Sequence, residues 1–169
     1  MMKTFFVGFM GSGKTYWGRQ LSQKISIPFF DLDEQVSTHA GKSIPEIFSQ
    51  DGEEQFRLME KEVLHIITES HDSFVMACGG GTPCYFNNID YMHQEGTTVW
   101  INTPLDTIFT RLVKEKPERP LIKELSDEQL RSFISRKYAD RRIYYEQADI
   151  TVDEEPVQLD KLIGRIFHS

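Results

Sequence analysis

Short apolar runs alternate along this chain with stretches whose apolar positions recur at helical spacing. Thr4 to Val7 is the first β-prone run; a glycine-rich turn follows, and Tyr16 to Lys24 then has the apolar spacing of a helix. Pro28 to Asp31 reads as a second short strand leading into polar sequence, after which Ser43 to Phe48 and Glu53 to Thr68 read as helices. Val75 to Cys78 is a third strand running into Gly79-Gly80-Gly81, Thr97 to Ile101 a fourth, and Ala148 to Val152 a weaker fifth. Strands separated by helical stretches imply parallel βαβ units with right-handed crossovers, so the pattern predicts a doubly wound α/β sandwich. Ligands in such folds gather at the carboxyl ends of the strands, and Gly8, Asp31 and Gly79 each stand where a strand is predicted to stop. From about Lys114 to Asp127 the chain is charged, carries Pro117 and Pro120 and lacks a strong apolar period, which predicts an exposed flap.

Composition narrows the class. A chain of 169 residues with 39% hydrophobic and 27% charged residues fits one compact domain with a real core, and no internal repeat or linker divides it. No apolar run approaches a membrane span, and the apolar start is cut short by Gly8, so the protein is expected in the cytoplasm. The two cysteines, Cys78 and Cys84, lack CxxC spacing and are expected as reduced thiols. A net charge of -7 argues against nucleic-acid binding, so an anionic ligand must meet a local basic cluster drawn from Lys14, Arg57, Arg111, Arg119 and Arg141-Arg142.

Gly8-Phe9-Met10-Gly11-Ser12-Gly13-Lys14-Thr15 is a complete GxxxxGK[ST] phosphate loop between a predicted strand and helix. Its glycines let successive N–H groups of the backbone face the phosphates, and the following helix adds its positive end. Lys14 reaches the β- and γ-phosphates and the Thr15 hydroxyl ligates Mg²⁺, with ATP the expected nucleotide. The loop alone does not separate kinases from switch GTPases, ATPases or binding modules. Asp31 and Asp33, two apart on the predicted strand, would both face the crevice, one supporting Mg²⁺ and the other orienting an attacking hydroxyl. The bland alternative is a helix N-cap plus a solvated acid. Arg57 and Glu60, three apart on a helix, could simply pair on the surface. Gly79-Gly80-Gly81 forfeits side-chain packing, which suits backbone lying close to a ligand.

Taken in order and spacing, the phosphate loop, Phe30-Asp31-Leu32-Asp33, Ile44 to Phe48, Gly52 to Glu60, the triple glycine and Arg119-Pro120-Leu121 resemble the shikimate kinases over nearly the whole chain. The resemblance implies a P-loop NTPase three-layer sandwich with a central parallel five-stranded sheet, like the nucleoside monophosphate kinases. It also implies an acceptor-binding segment over about residues 33–60 and a mobile lid over about 114–127. Asp33, Arg57, Gly79, Gly80, Gly81 and Arg141 would hold shikimate, with Phe48 and Phe56 lining the ring pocket. The loop residues Gly11, Ser12, Gly13, Lys14 and Thr15 would bind ATP with Tyr16, Arg111 against adenine, and Arg119 beside Lys14 on the transferring phosphate. Thr15 and Asp31 would serve Mg²⁺.

The implied reaction is transfer of the γ-phosphate of ATP to the 3-hydroxyl of shikimate, in aromatic amino-acid biosynthesis, by a monomer. The family writes its last motif R-x-P-[LF]-Y where this chain has Arg141-Arg142-Ile143-Tyr144-Tyr145, so Arg142 stands as the alternative to Arg141. Rival readings are another small-molecule kinase, such as a gluconate or nucleoside monophosphate kinase, or a nucleotide-dependent regulator. No N-K-x-D motif appears, which speaks against a switch GTPase.

Overall fold

A computed structural model describes residues 2–168. Its strands are β1 (Lys3–Val7), β2 (Phe29–Asp31), β3 (Phe74–Ala77), β4 (Thr97–Ile101) and β5 (Ile150–Val152), all parallel, in the order β2-β3-β1-β4-β5. The helices are α1 (Lys14–Ile25), α2 (Leu32–Ala40), α3 (Ile44–Asp51), α4 (Glu53–Ser70), α5 (Asn88–Glu95), α6 (Leu105–Glu115), α7 (Asp127–Tyr145) and α8 (Leu159–Phe167). The doubly wound α/β expectation holds, and each predicted strand lies within two residues of an observed one.

Side chains on β1 alternate between two cores, as the two-residue period of a strand requires. Phe5 and Val7 join Phe74, Met76 and Trp100 on the face covered by α4 through α7, and Phe6 joins Val75, Val99, Leu21 and Ile166 under α1 and α8. Both faces of the central strands are therefore apolar, which is why the strands read as nearly continuous hydrophobic runs.

Two expectations need correction, and helix α2 was not predicted. The second strand stops at Asp31, and Leu32-Asp33 already belong to α2, so strand alternation is not what brings the two acids together. Asp31 is the N-cap, its side chain accepting from the Glu34 N–H at 3.3 Å, which ends the strand by starting the helix. The predicted flap is not uniformly exposed: Lys114 and Glu115 end α6, Lys116–Glu118 form a 3₁₀ turn, and Ile122 is fully buried in the larger core. Leu121, Ile122 and Leu125 are the only aliphatic residues in this stretch and give no sustained period, so the anchor left no pattern to read. The polar sequence after the second strand is also helical, capped at both ends by Asp31 and Gly41.

Candidate functional site

A cleft of about 1090 Å³ opens at the carboxyl ends of β1, β2 and β3. The phosphate loop forms its floor. Gly13 caps α1 with φ of 97°, a left-handed conformation that side-chain-bearing residues rarely take, and this turns the chain into the helix with its N–H groups toward the cleft. Lys14 is buried and its Nζ donates to the carbonyls of Gly8 at 2.8 Å and Phe9 at 3.1 Å. Burial pushes its pKa down to about 8, against the attraction of Asp33. Ser12 is buried beside it, its carbonyl accepting from the Thr103 hydroxyl at 2.9 Å.

The Thr15 hydroxyl donates to Asp31 Oδ2 at 3.2 Å, so the residue pair expected at Mg²⁺ is in contact. Asp33 stands in the first turn of α2, where the positive helix end favours an acid. It faces the open cleft but is ringed by protein; loss of solvation raises its pKa, the neighbouring Asp31 carboxylate adds to the rise, and Lys14, Arg57 and Arg119 oppose it. The N-cap alternative thus describes Asp31, while Asp33 is an exposed acid that opens into the cleft.

On the nucleotide side, Arg111 donates to the Gly11 carbonyl at 2.9 Å and pairs with Glu155, and Arg119 pairs with Glu115 at 2.8 Å. All five residues line the cleft. Tyr16 also lines it but is largely exposed, its ring edge-on to Trp17 at 4.8 Å. Trp17, Glu155 and Pro156 bound the same space and were not singled out in the sequence, where none belongs to a motif.

At the opposite end, the triple glycine admits two guanidinium groups. A β-carbon on Gly80 would lie 2.8 Å from Arg141 Nη1, and one on Gly81 would lie 2.6 Å from Arg57 Nη2. A side chain at either position would push the guanidinium group away from the backbone. Arg57 does pair with Glu60, Nη1 to Oε1 at 3.0 Å, but both are buried, so the surface-pair alternative gives way to a buried one. Arg141 Nη1 is buried without a hydrogen-bond partner, whereas Arg142 is exposed and bound to Glu146 at 2.5 Å. Arg141 is half-buried with its guanidinium over the Phe9 ring at 5.7 Å, and a buried, unpaired guanidinium nitrogen is costly until an anion meets it, which favours Arg141 over Arg142 as the ligand-facing residue. Phe48 and Phe56 pack at 4.7 Å. These two rings, Arg57, Gly81 and Arg141 do not line the cleft itself; they adjoin it where Asp33, Gly79 and Gly80 form its wall.

The family described as shikimate kinase matches residues 10–168. The chain is 35% identical to the shikimate kinase of Azobacteroides pseudotrichonymphae over 99% of its own length and 98% of that protein's. It is 38% identical to that of Parabacteroides distasonis over 92% and 89%. A crystal structure of shikimate kinase from Bacteroides thetaiotaomicron superposes with a TM-score of 0.89 at 32% identity, covering 99% of this chain and 97% of its own. Shikimate kinase from Acinetobacter baumannii, solved in complex with shikimate, gives 0.84 at 31%, covering 99% and 92%.

Proposed function

The chain belongs to the shikimate kinase family, and from that premise we propose that the cleft and the cradle behind Gly79-Gly80-Gly81 together carry ATP-dependent phosphorylation of shikimate. The reaction transfers the γ-phosphate of ATP to the 3-hydroxyl, giving ADP and shikimate 3-phosphate in aromatic amino-acid biosynthesis. The observation that carries this reading is the convergence of Arg57 and Arg141 on the glycine backbone, beside a cleft that holds Lys14, Asp33 and Arg119. A small ring with one carboxylate and several hydroxyls needs guanidinium forks for the first and acceptors for the second. Arg57 and Arg141 supply the forks and Asp33 the acceptor.

Phosphoryl transfer asks the protein mainly for alignment and charge neutralisation. Asp33 orients the 3-hydroxyl, and its raised pKa suits a group that takes up the hydroxyl proton. Lys14 and Arg119 offset charge on the γ-phosphate. To do so Lys14 exchanges its two carbonyl acceptors, and Arg119 its Glu115 partner, for phosphate oxygens. The segment between α6 and α7 acts as a lid that pivots on buried Ile122 and excludes water when Arg119 engages. Arg111 with its neighbours Trp17 and Pro156 receives the adenine.

Thr15 and Asp31 offer two oxygen donors in contact with each other, a set that fits Mg²⁺, which takes one or two protein oxygens alongside nucleotide phosphates. When bound, the ion neutralises phosphate charge. No helix among the described residues is long and apolar enough to cross a membrane. The groups named need no second subunit to complete the site, which is compatible with a monomer. A coupled assay of ADP release tests the reading: turnover should require shikimate, and neither gluconate nor a nucleoside monophosphate should replace it. ADP release that is indifferent to shikimate would refute it.

A further inference from the structure

The 3₁₀ turn after the glycines, Thr82–Cys84, carries a residue that does not line the cleft. Thr82 is fully buried. Its N–H donates to the Gly79 carbonyl at 3.2 Å and its own carbonyl accepts from Asn88 Nδ2 at 3.0 Å, so its backbone is held from both sides. The hydroxyl donates to Glu60 Oε2 at 2.8 Å, while Arg57 Nη1 donates to the other oxygen of that carboxylate at 3.0 Å. Glu60 is itself completely buried, and burial raises its pKa.

A buried carboxylate with a donor on each oxygen has its plane fixed. With a donor on one oxygen only, it is left with an unsatisfied charge-bearing atom. Such a carboxylate relieves the loss by swinging toward its remaining donor, and that donor is Arg57. The rest of the Arg57 cage is less directional: the Tyr85 ring lies 4.3 Å from the guanidinium carbon and the Phe56 ring 5.1 Å, and the Glu53 carboxylate stands 3.8 Å from Nε, an ion pair too long for a hydrogen bond. Rings hold a cation over their faces but do not set the rotation of its fork. The hydrogen bond that fixes the rotation, among the described residues, is the one to Glu60, with the longer Glu53 pair adding attraction but little direction.

We propose that Thr82 is a positioning residue for the acceptor: through Glu60, its hydroxyl fixes the direction of the Arg57 fork and so sets the hold on the shikimate carboxylate. The proposal rests on Arg57 as a carboxylate ligand. Thr82→Ala and Thr82→Ser differ from each other by that hydroxyl alone. A lost hydrogen bond to a buried charge should raise the shikimate KM roughly tenfold in Thr82→Ala, with the ATP KM and kcat held to within about twofold. Thr82→Ser should restore the wild-type value. Because the effect travels through Arg57, it should vanish when Thr82→Ala is added to Arg57→Ala.

Titration calorimetry with shikimate, below the Tm of every variant, gives the same comparison where turnover is too low to measure. A wild-type shikimate KM in Thr82→Ala, with Arg57→Ala impaired, would overturn the proposal. So would a defect that falls equally on both substrates, or one that persists undiminished in the double variant. If Arg57→Ala itself binds shikimate normally, the carboxylate reading of Arg57 has failed, and the proposal falls with it.

Discussion

Lys14 combines burial with a positive charge, and its pKa of about 8 puts that conflict within reach of a solution measurement. A bound triphosphate brings negative charge to the ammonium and favours its protonated form, so nucleotide binding at alkaline pH must draw a proton from solvent. With a free value of about 8 and a bound value back in the ordinary lysine range, about nine-tenths of free molecules carry the charge near pH 7 and about a tenth near pH 9. Affinity for a non-hydrolysable ATP analogue should therefore be about tenfold weaker near pH 9 than near pH 7, a loss of about 1.4 kcal/mol. Calorimetry in buffers of different ionisation enthalpy should read close to one proton taken up per nucleotide at the alkaline end and about a tenth of one near neutrality. Lys14→Arg keeps the charge on a group that does not titrate in this range, so both trends should flatten even if overall affinity drops. An affinity that stays level across the interval, or proton uptake that survives in Lys14→Arg, would refute the reasoning.

Three further outcomes are expected. Asp33→Asn should lower kcat by on the order of a hundredfold or more. In the wild type, the acid limb of the pH–rate profile should lie above the ordinary carboxylate range because burial and Asp31 raise the Asp33 pKa; an unchanged profile in the variant would remove Asp33 from the mechanism. Gly80→Ala would place a methyl 2.8 Å from Arg141 Nη1, so steady-state kinetics should show a raised shikimate KM with ATP binding largely spared, and a normal KM would mean Arg141 lies idle. In hydrogen exchange, the 116–126 segment should open readily in the free enzyme except around buried Ile122, then gain protection with an ATP analogue plus shikimate. Arg119→Ala should lower kcat and that protection together; a segment already protected without ligand would show that it is no lid.

Features that depend on a few consecutive residues were legible in the chain itself. The strands show as apolar runs because both faces of the sheet are covered, and the phosphate loop shows as spaced glycines because its turn is made by local backbone conformation. Lys14 and Thr15 follow from that loop wherever it occurs. The strand order and the helices α2 and α5 to α8 were not read, and α7 in particular buries only Leu130, Ile134 and Tyr145 along 19 residues, too sparse a stripe to signal a helix.

The acceptor side was decided by what lies opposite each side chain. A three-residue spacing brings Arg57 to Glu60 in any helix, but whether the pair is a solvated ornament or a buried clamp depends on Thr82, 22 residues further along the chain from Glu60. Arg141 and Arg142 are adjacent and chemically identical. The helix turns about 100° between them, so one meets Gly80 and the other pairs with Glu146 on the exposed side. Burial, and with it the energy of a charge, is a property of distant segments packed together, which is why the identities of these residues could be read from the sequence while their surroundings could not.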